Sequence, residues 1–272
     1  MNGKIGNQVD EVQQRRLGED VYFPATDSYW TYVEFKDVAQ RGEHARDAVT
    51  ADLVGTAIGA VTATAAVNSK KLNDTGAFAN KDLRGAIGQV TAGPGVGQTF
   101  YIKDNDDADN VIIELLAELQ GIPELDEEGW RVQLTTASRY QLRQPGVVYR
   151  GGAVADFTRG LYQQDITADM LNKYGYVLRW GLGFGRILLS DTETPSIGEP
   201  LIAAANGLLE GGVATVAELS KVIATAQLGD LTTSANTEEA LIPVEVRVPT
   251  TIRSYYNPEQ MKDPRSYTAL GR

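Results

Sequence analysis

The chain has 272 residues, 42% of them hydrophobic and 22% charged, with a formal net charge of -11, one histidine and no cysteine. These proportions belong to folded chains and exclude wholesale disorder, and the length suits one large domain or two smaller ones. Without cysteine there are no disulfides, thiolate nucleophiles or thiolate metal sites, and no stretch of about 18 apolar residues is present to span a bilayer.

Residues 1–27 are polar, include the paired Arg15 and Arg16, and hold too few large apolar groups to form a core, so they read as an N-terminal arm. Their first 20 residues lack the apolar core of a signal peptide, which leads us to expect a protein made in a cytosol. Tyr29–Val38 is aromatic and β-branched with partial alternation, which predicts a strand. From Glu43 to Leu72 the apolar positions Ala45, Val49, Leu53, Ile58, Val61 and Ala65 predict a long helix, softened at Gly55 and Gly59. Residues 73–98 read as loops with a short helix at Leu83–Ile87. Thr99–Ile102 predicts a strand.

The carboxylates Asp104, Asp106, Asp107 and Asp109 then precede an apolar stripe of Val111, Ile112, Leu115, Leu116 and Leu119. That pattern predicts a helix capped by Asp107 or Asp109 and closed by Gly121 and Pro123. Trp130–Leu134 alternates as a strand, and TTASRYQLRQ reads as a short helix capped by Thr135 or Thr136. Residues 144–165 form a glycine-bearing loop and Ile166–Leu171 a helical turn. Tyr176–Ser190 predicts two strands joined or bulged at Gly181, Gly183 and Gly185. Glu199–Leu209 and Val213–Gln227 read as helices or helix pieces and Val244–Val248 as a strand. The tail 249–272 is polar and aromatic, with Pro249, Pro258 and Pro264.

Few patterns carry chemistry. His44 is the only residue a Ser-His-Asp arrangement could use, and it lies among charges without a G-x-S-x-G elbow, so a solvated helix position is expected. Counted from Asp104, an EF-hand loop would need glycine and glutamate where Asp109 and Leu115 stand. Residues 92–98 lack the G-K-[ST] of a phosphate loop, and residues 181–186 have G-x-G-x-G where a dinucleotide turn needs G-x-G-x-x-G. Tyr29, Trp30 and Tyr32 have no closely interleaved basic residues, which favours core or subunit-contact roles over base or sugar stacking. No catalytic, cofactor-binding or metal-ligating residue is nominated, and no cofactor is expected. The acidic balance disfavours general nucleic-acid binding, although one face of an assembled subunit can still be basic.

The order VIIELLAELQGIPELDEEG, WRVQLTTASRYQLRQ, a glycine-containing loop, DITADMLNKYGYV and GLGFGRILLSDTETP, across residues 104–194, resembles the middle of HK97-fold major capsid proteins of tailed bacteriophages. The resemblance implies an α+β fold with an N-terminal arm (1–27), a short extended loop, long spine helix and connecting loops (28–103), a central axial and peripheral region (104–194), and helices, a closing strand and a tail (195–272). It implies a non-enzymatic shell protein of the virion, assembled in the host cytoplasm from copies of itself. Other virion proteins and non-specific contact with packaged DNA are further partners it allows, with no membrane. Another virion component (neck, decoration or tail protein) and a carboxylate-dependent soluble enzyme are the alternative expectations.

Overall fold

The computed structural model describes residues 8–54, 70–79, 81–106, 109–115, 130–152, 158–189, 195–211, 222–227 and 239–248. In chain order they form β1 (Val9–Asp10), β2 (Asp20–Phe23), β3 (Ser28–Phe35), β4 (His44–Val49), α1 (Thr50–Val54), β5 (Lys71–Asn73), β6 (Ile87–Ala92), β7 (Thr99–Asn105) and β8 (Asn110–Leu115). Then follow β9 (Arg139–Arg150), β10 (Thr158–Leu161), β11 (Tyr174–Leu188), β12 (Pro200–Ala203), β13 (Leu209–Gly211), β14 (Val222–Ala226) and β15 (Glu239–Arg247). Two compact units result. Described residues within 8–47 and 146–248 make the first, and those within 48–145 make the second.

The first unit is organised by β11, 15 residues long. Its first half pairs antiparallel with β3 from Tyr174–Glu34 to Trp180–Tyr29, and its second half with β15 from Trp180–Arg247 to Leu188–Glu239. From β15 the ladder continues to β14, β12 and β13, and β13 returns to β11 at Leu209–Ile187. Five strands therefore close a ring, joined at its seam by the single pair Leu209–Ile187. Ile187, Leu201, Leu209, Ile223, Ile242, Val244 and Val246 are buried in one cluster, supplied by the strands of this ring. A second cluster joins Val33 and Phe35 of β3 to Ala45, Val148, Tyr162, Ile166 and Val177.

Between the two halves of β11 the register to β3 shifts by one residue, at Leu178 to Trp180, and Gly181 follows with φ 118°. The extra residue is a bulge, and a positive φ there is open to glycine alone without strain. Leu178 is consequently buried while Trp180, two residues on, is exposed. The odd residue, Arg179, turns inward and ion-pairs with the buried carboxylate of Asp20.

The second unit is an antiparallel sheet in the order β9, β6, β7, β8, β5. Phe100, Ile102, Val111, Ile113, Tyr140 and Leu142 alternate into its core. Trp130 stands edge-on to Phe100 with ring centroids 5.0 Å apart, and its indole N–H donates to the Lys71 carbonyl at 2.8 Å.

The α+β HK97-like arrangement with a long spine helix is not what the chain forms, because 54% of the described residues are in strands and 6% are helical. His44–Val49 is strand β4 and only Thr50–Val54 is helical; residues 55–69 of the expected helix lie outside the described residues. Asn110–Leu115 is strand β8, where Val111 and Ile113 point inward at a period of two and β-branching suits the pleat. Asp109 is thus no N-cap: its carboxylate accepts from Gly76 N–H at 2.6 Å. Asp107 lies outside the described residues.

The short helix expected around 135–144 is a turn leading into β9, and Trp130–Leu134 is irregular. Leu83–Ile87 contains a turn at Arg84–Gly85 and the start of β6, and β9 and β10 occupy much of the expected loop at 144–165. The helix expected at 199–209 is β12, a single 3-10 turn and the start of β13, and 222–226 is β14. Of the arm, β1 pairs with β11 and β2 with β3. The strands expected at Tyr29–Val38, Thr99–Ile102 and Val244–Val248 and the helical turn near 166–171 are present.

Candidate interaction surface

Four strands of the first unit bring one exposed row together. Tyr22 of β2 is register partner of Tyr29 of β3, Tyr29 of Trp180 of β11, and Trp180 of Arg247 of β15. The ring centroids of Tyr22 and Tyr29 are 4.9 Å apart at 39°, and those of Tyr29 and Trp180 6.0 Å apart at 75°. Tyr22, Tyr29 and Trp180 remain 45%, 38% and 37% exposed, and Leu182, next along β11 on the same face, is 73% exposed. The face continues down the ring as Phe184, Leu188, Leu241 and Pro243, with Arg41 stacked over Phe184 at 4.0 Å.

The sequence places Tyr29 among three aromatics of equal interest, and the alternation of β3 separates them. Trp30 and Tyr32 face the core, while Tyr29 faces solvent. Tyr22, Trp180 and Leu182 were not singled out by sequence. Their signal was the apolar pair Trp180-x-Leu182 at strand spacing inside a glycine-rich segment, too short to tell core from surface.

Polar ends bound the row. At the β2 end the Tyr22 hydroxyl donates to the exposed Asp27 carboxylate at 2.8 Å; at the β15 end Arg247 donates to Glu245 at 2.6 and 2.9 Å. Rings tilted by 39° and 75° share no plane, so the row is not a flat platform for sugars or bases. Tyr, Trp and Arg around an exposed apolar centre are the side chains enriched where proteins bind proteins.

The other sequence candidates lie elsewhere. His44 is fully buried on β4, with Nε2 3.3 Å from the Ala204 carbonyl, and desolvation lowers its pKa to about 4. The expectation of a solvated helix position is therefore corrected. Neighbouring Glu43 is also buried and bound to Arg150, its pKa raised chiefly by desolvation. Asp47 pairs with Arg159, and the Tyr162 hydroxyl is buried, its pKa raised by desolvation. Asp106 pairs with Lys71 in the second unit.

Among the described residues no group of three or more His, Asp or Glu side chains could hold a metal ion, and no helix is long and apolar enough to cross a membrane. Residues 93–98 form a turn between β6 and β7, and residues 181–186 are strand, so neither glycine-rich stretch opens a helix on which a phosphate could sit. Comparison with known protein families, curated proteins and solved structures finds no match to this chain.

Proposed function

We propose that the chain is a non-catalytic structural subunit that works by assembling with copies of itself. The observation that carries this reading is the exposed row Tyr22, Tyr29 and Trp180 with Leu182 beside it. Lone exposed apolar residues need no explanation, but a contiguous set on one rigid sheet face is costly to leave in water. Covering the exposed 73% of Leu182 alone recovers about 1–2 kcal/mol. Of the virion roles raised by the sequence, a neck, decoration or tail component accords with two strand-rich units better than a shell subunit built on a spine helix.

The test is sedimentation velocity and negative-stain microscopy over a wide concentration range, at low and raised salt to screen the net charge of -11. Multimers or rings are expected, and Leu182→Glu should shift them toward single chains while leaving the circular dichroism spectrum unchanged. A wild-type chain that stays a single-chain species throughout overturns the reading.

A further inference from the structure

The exposed row carries opposite charges at its two ends, Asp27 beside Tyr22 and Arg247 beside Trp180. We propose that this row is a contact between two copies of the chain, packed face to face about a two-fold axis that runs along the strands between Tyr29 and Trp180. The inference rests on the self-assembly reading and names its partner. Such an axis reverses the order of the row. Arg247 of each copy then meets Asp27 of the second copy, and Trp180 covers the second copy's Tyr29, so both contacts are made twice and the surface is complementary to itself.

Arg247 can make this contact without abandoning Glu245. Its guanidinium has five donors, of which Glu245 accepts two. The existing pair is solvent-exposed and holds the side chain weakly. The tilted rings leave ridges and grooves instead of a plane, which suits interdigitation with an identical row.

The chain has no cysteine, so Tyr22→Cys and Arg247→Cys each carry a single thiol. Strands about 4.8 Å apart place these two positions about 14 Å apart within one copy, and sheets packed face to face lie about 10 Å apart. The two-fold therefore brings position 22 of one copy about 10 Å from position 247 of the other, and leaves like positions about 17 Å apart. The nearer gap exceeds the roughly 4.4–6.8 Å between Cα atoms that a direct disulfide spans, but a bis-methanethiosulfonate with a two-carbon spacer bridges it. That reagent should join the two variants in an equimolar mixture, and should join either variant to itself little. Trp180→Ala, uncrosslinked, should weaken association at least about tenfold by sedimentation equilibrium.

If the wild type and the mixture associate but the mixture fails to crosslink, or single variants crosslink as readily, the two-fold contact is overturned and self-assembly through another surface stands. Trp180→Ala associating as tightly as the wild type has the same meaning. A wild type that does not associate overturns both.

Discussion

Lowering the pH should destabilise the first unit through one group, His44. Its imidazole is fully buried, and desolvation places its folded pKa at about 4, against 6.5 in the unfolded chain. Between those values the unfolded state binds the proton and the folded state does not, so stability is intact above pH 6.5 and is lost as pH falls toward 4. The full shift corresponds to about 3 kcal/mol, and the loss already reached at about pH 5 is about 2 kcal/mol. Glu43 acts in the opposite sense. Its folded pKa is raised, so its protonation on acidification favours the folded state and offsets part of the histidine effect. The two are separated with His44→Gln, whose amide can donate to the Ala204 carbonyl as Nε2–H does but does not titrate. Urea midpoints followed by tryptophan fluorescence should fall between about pH 8 and pH 5 in the wild type, and fall less, or rise through Glu43, in His44→Gln. Parallel pH dependence in the two proteins would refute the assignment.

Three further outcomes follow from the packing. An added Cβ at Gly151 would lie 1.8 Å from Cε1 of His44, so Gly151→Ala should cost about 3 kcal/mol or more in unfolding free energy by urea titration, and His44→Ser in the same chain should recover much of it. Asp20→Ala removes the carboxylate that ion-pairs with the buried Arg179 and should cost about 3–5 kcal/mol, whereas Asp20→Leu with Arg179→Met should cost far less; a double-mutant cycle on unfolding free energies decides. In the second unit, a Cβ at Gly88 would enter the Phe100 ring at 2.1 Å, so Gly88→Ala should speed hydrogen exchange of the β6 and β7 amides, and unchanged protection would refute that close packing.

How far the fold could be read from sequence depended on whether a segment's period was unambiguous. Strand β3 announced itself through aromatic and β-branched residues, and so did the core of β15 through VEVRV. The segment VIIEL did not, because a turn and a half of helix and a strand buried on one face present nearly the same letters over so short a run. The leucines and carboxylates around it favour a helix, while the β-branched Val111, Ile112 and Ile113 are the better guide. His44–Val49 was read as the start of an Ala-rich helix because its pairing partner, β10, lies more than a hundred residues away in sequence. A solvated His44 followed from that error, since charged neighbours in sequence are not neighbours in space.

The exposed row was hidden for a related reason. It is assembled from four strands, and although the glycines at 181, 183 and 185 signal a bulge, they do not say which way it turns Trp180.

The ring in the first unit also has a temporal side. Strand β11 finds β3 already synthesised, but its other half must wait for β15, the last strand described, and the 98 residues from 48 to 145 of the second unit emerge between residue 47 and the rest of the first. A ribosome making this chain therefore exposes β1 to β4 well before the strands that complete their unit exist. Long-range pairing of this kind folds slowly and leaves unpaired edges in the interim. The second unit, contiguous over its described residues, is free to fold first, and the first unit reaches its native state only after β15, which ends at residue 247, has left the ribosome.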